Sequence, residues 1–299
     1  MQTSAASSQR GMQANAAKLA EAQLRANTLQ KNAKLSDDPG AAADSMTVRA
    51  AQAQAAQYGR NLDNGDDWLS AANVALDSSV ALLQRVQYLT IQGSNDSLPA
   101  PAKEAIAVEL DSIRTDLLRQ ANSTYMGRNV FAGNSDAGKA FEDGDPPTFN
   151  GADGSKVERR VSANSTIRVD ADGAAIFGTG TGPTVGTGNG TGSIFGMITQ
   201  LSADLRSGAS LSKSVDTVNA ALDHVIGQRS EVGTRHAELL RAKDANVTAV
   251  MALEDQRAGV EDLDLGKAIL DLKTQELAYQ ASLSVTAKVL SSTLMDFLR

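Results

Sequence analysis

The sequence predicts a mainly α protein with a β-rich insertion, an α+β chain whose two ends form an elongated bundle of long helices. Three observations carry this. Apolar residues recur at helical spacing from Met12 to Ala121 and again from Ile194 to Phe297. Between Val130 and Phe177 that spacing gives way to frequent Gly and Asp and to short strand-like runs. Of the 299 residues 41% are hydrophobic, but alanine supplies much of that share and only 4% are aromatic. Alanine buries little area, whereas a buried Leu or Phe is worth roughly 1.5–3 kcal/mol, so long helices joined through thin seams are expected rather than one thick core.

The first helix is read from Met12, Leu19, Ala22, Ala26, Leu29 and Ala33, at steps of three, four and seven in a background of Ala, Gln, Lys and Glu. That is a coiled-coil seam. Asp37-Asp38-Pro39-Gly40 interrupts it, with carboxylates ahead of a proline as at a new helix start. Met46 to Gln92 reads as helix, broken near Asn64-Gly65-Asp66, with Leu69, Leu76, Val80 and Leu83 on one face. Ser94 to Pro101 is a turn, its prolines stopping the helix. Ile106, Leu110, Ile113, Leu117 and Ala121 mark a third helix that ends before Gly127.

Within the insertion, Val157–Val161 and Thr166–Val169 read as strands, with Asp153-Gly154 and Asp172-Gly173 as turn signals. The tract from Gly178 to Gly192 alternates Gly with Thr and reads as a surface linker. Helical pattern resumes at Ile194, breaks near Gly208 and runs almost to the carboxyl end. There Leu265, Ile269, Leu272, Tyr279, Leu283, Leu290, Leu294 and Phe297 recur at steps of three, four or seven. A second set, Leu270, Leu277, Val285 and Val289, widens the apolar surface beyond one stripe. A terminal helix apolar on more than one side must be covered, and pairing of the two chain ends with each other and with neighbouring copies is the simple solution.

The composition argues against several chemistries. The formal charge of −7 and the absence of clustered Lys and Arg do not suit a phosphate backbone. No apolar run reaches the roughly 18 residues of a membrane span, and Met1 to Gly11 is polar, without the apolar core of a cleavable signal. There is no cysteine, hence no disulfide, thiolate ligand or cysteine nucleophile. His224 and His236 stand twelve positions apart on one helix, about 120° apart around its axis, with no completing ligands. The glycine tract has no lysine for a phosphate loop. Asp170-Ala171-Asp172-Gly173 lacks the later glutamate of a calcium loop and reads as a hairpin turn. Asp37-Asp38 and Asp66-Asp67 read as acidic pairs at helix starts. Nothing forms a Ser–His–Asp or paired-carboxylate constellation, so no enzyme, cofactor or metal is expected.

Five segments together resemble the flagellin family. Ser36-Asp37-Asp38-Pro39-Gly40-Ala41-Ala42 is similar to the family's turn after the first helix. Leu83-Gln84-Arg85-Val86-Gln87-Tyr88-Leu89-Thr90-Ile91-Gln92, followed by Asn95, resembles its Leu-Gln-Arg-Val segment. Gly127-Arg128-Asn129-Val130-Phe131-Ala132-Gly133 is similar to a Gly-Arg-x-x-Phe-Ala-Gly element of the family's hook–filament junction members, which filament flagellins generally lack. Val225 to Arg235 resembles the family's Arg-x-x-x-Gly-x-Arg stretch, and the ending Ser291 to Arg299 resembles the Ser-Leu-Leu-Asp-Phe-Leu terminus of its junction members. Two departures stand out. Family members begin with several more residues before the first helix, and Thr28-Leu29-Gln30-Lys31 stands where they carry a Ser/Thr-Gly-Lys element.

The resemblance implies a flagellin-like bundle and a structural role at the junction of hook and filament, after export through the type III apparatus with a flagellar export chaperone. Its implied partners are further copies of the chain in a ring or short helical zone, a hook-side junction protein and filament flagellin. Segments 1–35 and 263–299 are then terminal assembly segments that order on assembly. Segments 36–129 and 193–262 form a helical rod, and 130–192 a surface insertion. The residues expected to carry packing and assembly are Leu83, Arg85, Val86, Leu89, Arg128, Phe131, Leu272, Tyr279, Leu283, Leu290, Leu294 and Phe297. A filament flagellin, or a secreted coiled-coil adhesin acting through the insertion, is the alternative.

Overall fold

Leu62, Leu69, Leu76 and Leu83 recur every seven residues, and in the computed structural model all four are fully buried. The structure describes residues 2–31, 38–144, 147–152, 154–180, 182 and 192–297, without the side chains of 2–6, 8 and 289–297. Its helices are α1 (Gln2–Thr28), α2 (Pro39–Gly93), α3 (Ala100–Ala121), the short α4 (Gly173–Phe177), α5 (Ile194–Ser207), α6 (Ser214–Glu261) and α7 (Leu265–Phe297). Three antiparallel strand pairs join them: β1 (Thr124–Tyr125) with β2 (Arg128–Asn129), β3 (Phe141–Glu142) with β4 (Thr148–Phe149), and β5 (Glu158–Arg160) with β6 (Thr166–Arg168). The chain divides into one compact unit of Gln57–Val247 and another of Met1–Ala56 with Thr248–Arg299. Helices α2 and α6 contribute residues to both.

In the 57–247 unit, α2 and α6 run antiparallel. Asp66 meets His236, Asp77 pairs with Arg229, and Gln87 donates to Asn219 at 2.6 Å. The apolar stripe of α2 shares one core with Ile106, Leu110, Ile113 and Leu117 of α3, Ile198 and Leu201 of α5, and Val218, Val225 and Leu239 of α6. The two prolines after α2 begin the next helix as well as ending this one. Pro99 is the extended N-cap of α3, and a proline occupies its first turn, where a missing N–H costs nothing.

The aromatic residues are few but gathered. Five of the six phenylalanines, Phe131, Phe141, Phe149, Phe177 and Phe195, form one cluster with ring centroids 5.1 to 5.9 Å apart. Four of these are fully buried. The insertion is thus anchored on the helical core by Phe195 of α5, and each aromatic contact adds about 0.5–1.5 kcal/mol beyond the area buried.

Four local expectations are corrected. No break occurs at Asn64-Gly65-Asp66; α2 is continuous through it. A Cβ on Gly65 would lie 2.6 Å from Leu239 Cδ1 and 3.0 Å from Val169 Cγ1, so the glycine answers close packing and not a turn. The acids Asp66 and Asp67 lie inside α2, not at a helix start. Asp172-Gly173 opens α4, with the Asp172 side chain accepting from the Ala175 N–H at 3.1 Å, so it is a helix cap and not a hairpin turn. The helical run from Gly208 onward is interrupted at Asp262–Asp264, between α6 and α7.

In the terminal unit α1 packs along α7. The end of α1 is clipped to the end of α6: Lys31 N–H donates to Glu261 O at 2.8 Å and Leu263 N–H to Leu29 O at 3.0 Å. Leu29 takes φ +55° there, the left-handed position that usually falls to glycine. Asp38 caps α2 through the Ala41 N–H at 3.0 Å, while Ser36 and Asp37 of the same motif lie outside the described residues.

Candidate assembly surface

Helix α7 has the pattern of a buried helix without the burial. Leu265 is 53% exposed, Leu270 69% and Leu277 66%. Ile269, Leu283 and Val285 are exposed as well, and so are Leu24 of α1, Leu29 just after it, Met46 of α2 and Met251 of α6. Leu272 and Tyr279 are half-buried. Among the described residues, the only hydrophobic side chains this unit buries are Ala55 and Ala268. Helix pairing alone therefore leaves most of the stripe in water, and each large side chain covered by a further surface gains roughly 1.5–3 kcal/mol.

Polar contacts, rather than a core, hold α2 to α6 within this unit. The Glu261 carboxylate accepts from Arg49 Nε at 2.6 Å and Nη2 at 2.9 Å, from the Ser45 hydroxyl, and from Arg257 Nη1 at 3.4 Å. The Arg49 hydrogen bonds, followed by that from Ser45, hold its pKa down at about 2.

The other expected residues fall elsewhere. Leu83, Val86 and Leu89 are buried in the 57–247 core. Arg85 stays exposed, pairs with Glu109 at 2.7 Å and lies 5.1 Å over the Tyr88 ring. Arg128 is exposed at the turn end of the β1–β2 hairpin, opposite Tyr125 and near Asn134 and Asp136, and Phe131 is inside the aromatic cluster. Leu290, Leu294 and Phe297 lie in α7, but their side chains are outside the described residues. The structure thus gathers Leu272, Tyr279 and Leu283 on one helix and sets Leu83, Val86, Leu89 and Phe131 into an internal core. Leu265, Ile269, Leu270, Leu277 and Val285, part of the apolar pattern of the sequence but not among the residues expected to carry assembly, also belong to the surface. Their helical spacing in the sequence was the signal.

The 57–247 unit carries two polar constellations. His236 Nε2 lies 2.8 Å from Asp66 Oδ1 and Nδ1 lies 3.1 Å from the Asn73 amide. With Asn73 donating to Nδ1, Nε2–H donates to Asp66. That contact first, and then Lys243, lowers the Asp66 pKa against the opposing effect of burial. Lys243 also bridges to Asp63 at 2.9 Å. His224 Nε2 reaches Ala175 O at 2.7 Å. Fully buried Asp170 accepts from Val157 N–H at 2.8 Å and from Arg168 Nε at 2.9 Å, while Arg235 donates to its backbone oxygen. Burial pushes the Arg235 pKa down, the nearby Arg168 charge adding to it. These groups are paired to each other, as struts between elements. No group of three His, Cys, Asp or Glu among the described residues is placed to hold a metal. No helix among them is long and apolar enough to cross a membrane.

Residues 1–136 match the bacterial flagellin N-terminal helical region. The chain is 26% identical over 263 residues to flagellar hook-associated protein 3 of Escherichia coli K12, covering 83% of this chain and 82% of that one. A putative flagellar hook-associated protein from Vibrio parahaemolyticus has a similar fold, with TM-score 0.67 at 21% identity over 76% of this chain and all of the other. The flagellar junction protein FlgL from Legionella pneumophila superposes with TM-score 0.59 at 17% identity, over 73% of this chain and all of the other.

Proposed function

We propose, from the premise that the chain belongs to the flagellin family, that it is a structural subunit of the bacterial flagellum joining hook to filament. Family and fold are those of structural flagellar proteins, and no catalysis is proposed. The observation that carries the reading is the row of exposed large apolar residues on α7, in a unit whose buried hydrophobic side chains among the described residues are two alanines. Such a surface reaches its full stability only when copies associate.

In this reading segments 1–35 and 263–299 are the assembly segments, with Leu272, Tyr279, Leu283, Leu290, Leu294 and Phe297 on the seam. Segments 36–129 and 193–262 form the rod that Leu83, Val86, Leu89 and Phe131 stiffen from inside, and 130–192 is the surface insertion. Arg85 and Arg128 are the exposed charges that meet neighbours. Copies meet through heterologous contacts that do not close on themselves, as in a helical lattice. One end of the assembly faces a hook-side junction protein and the other filament flagellin. The subunit reaches that place outside the cell by type III export with a chaperone.

Hydrogen–deuterium exchange tests this on the dilute monomer and again after addition of flagellin under polymerising conditions. Amides of α1 and α7 are expected to exchange quickly in the monomer and to gain protection on assembly. Full protection of both helices in a dilute, concentration-independent monomer overturns the reading.

A further inference from the structure

We propose that Asn150 is a site of spontaneous deamidation in the folded protein, and that the fold protects the identical Asn-Gly pair at Asn64. The reaction needs an asparagine side chain free to swing onto the next main-chain nitrogen, which is least hindered when glycine follows. The Gly151 nitrogen attacks Asn150 Cγ. A C–N bond forms, the side-chain amide leaves as ammonia, and a succinimide remains. Water then adds to either ring carbonyl, giving aspartate or isoaspartate. The balance is one water consumed and one ammonia released, with no oxidant or reductant.

Asn150 and Gly151 meet these conditions. Asn150 is exposed and lies in the loop directly after β4. Its own main chain is held at both ends, by Asn150 N–H to Ala140 O at 2.8 Å and by Ser135 Oγ–H to Asn150 O at 3.2 Å, which leaves the side chain as the moving part. Gly151 sits against the Phe149 ring so closely that a Cβ would come within 2.2 Å of Cζ. A side chain there would have to displace the Phe149 ring, and glycine is the residue that leaves the attacking nitrogen open.

Asn64 has the same neighbour and the opposite setting. It is inside α2, where the helical ladder engages the Gly65 N–H and holds it away from the preceding side chain. Its Oδ1 also accepts from Arg159 Nε at 2.8 Å. Reaction at Asn64 therefore waits on local opening of a buried stretch of helix.

Conversion at Asn150 alters more than charge. Isoaspartate adds one carbon to the main chain between Phe149 and Gly151, beside the Phe141–Phe149 pair of the β3–β4 hairpin. The hairpin register must shift or its end must open.

The test is incubation of the full-length chain at mildly alkaline pH, followed by tryptic mass spectrometry. These are two of the three Asn-Gly pairs in the sequence, Asn189-Gly190 being the third; they fall in separate peptides, 140–156 and 61–85, and Asn150 is the only amide-bearing residue of the first. The one-dalton gain is expected at least about tenfold faster in 140–156 than at Asn64 in the folded chain, with the two rates converging in urea. Asn150→Gln, checked for folding by circular dichroism, is expected to abolish the gain in 140–156. Equal rates in the folded chain overturn the proposal. So does an Asn150 that reacts in urea but not in the folded protein.

Discussion

The two units of this chain use the same raw material, helices with a seven-residue apolar rhythm, and reach different ends. In the 57–247 unit, Leu62, Leu69, Leu76 and Leu83 are wholly buried and share a core with five phenylalanines. In the terminal unit Leu270 and Leu277, also seven apart, are more than half exposed. What separates them is the supply of partners. Residues from α3, α5, α6 and the insertion close over α2, whereas α7 has α1 alongside, a helix rich in alanine. A stripe with one thin partner stays unfinished: the first unit closes its own core, and the second leaves its apolar row in water, which is the feature the proposed assembly would use.

The largest expected effect falls on the first unit. Phe177→Ala removes a ring in contact with Phe131, Phe141 and Phe195 and is expected to cost about 3–5 kcal/mol, read from urea unfolding. A cost below about 1 kcal/mol would mean that the aromatic cluster is not the core it looks to be.

The opposite pattern is expected at Leu270→Ser with Leu277→Ser. Monomer stability should stay within about 0.5 kcal/mol, because both side chains are already in water. The concentration needed for assembly should rise at least about tenfold, the equivalent of about 1.4 kcal/mol. Unchanged assembly would break the contrast between the units.

Glu261 sharpens the contrast by pH. Its folded pKa of about 2 lies below the ordinary 4.5, so its stabilisation is present above that ordinary value and is lost as pH falls toward 2. The contribution is about 2 kcal/mol after allowing for an Arg49 partner that is 60% exposed. Glu261→Gln is expected to flatten the acid loss of exchange protection around the α1–α6 clip, with little change in the 57–247 unit.

A pair of glycines tests the packing within the 57–247 unit by the sign of the effect. Gly65→Ala drives a methyl into Leu239 and should destabilise by roughly 1–3 kcal/mol. Gly233→Ala, on α6 with nothing within 4 Å, should stabilise by up to about 1 kcal/mol through helix propensity. Thermal melts of the two variants moving in the same direction would refute the packing account of Gly65.

Much of this molecule was legible in the sequence where neighbours are close along the chain. Leu69, Leu76, Val80 and Leu83 of α2, and Ile106, Leu110, Ile113, Leu117 and Ala121 of α3, were read as single faces from spacing and are buried. The strand-like runs around Glu158–Arg160 and Thr166–Arg168 form a hairpin. Periodicity also marked the stripe of α7 as apolar. It could not say whether that stripe is covered in the monomer, because cover comes from residues far along the chain.

Where the reading went astray, the deciding contact was distant. Asn64-Gly65-Asp66 has the local chemistry of a turn, but Leu239, Arg159, His236 and Lys243 engage it from one side and the helix runs on. Asp170 resembles a turn acid and is instead a buried anchor for Arg168. Sequence by itself determined the helical ends, the β-rich insertion and the resemblance to the flagellin family, since each rests on short-range pattern or on motif order. Tertiary structure alone decided that five scattered phenylalanines make one cluster and that a glycine-bearing segment stays helical. It also set the contrast of a finished core in one unit with an open stripe in the other. All three depend on which distant side chains fill the same space, and spacing along one chain carries no record of that.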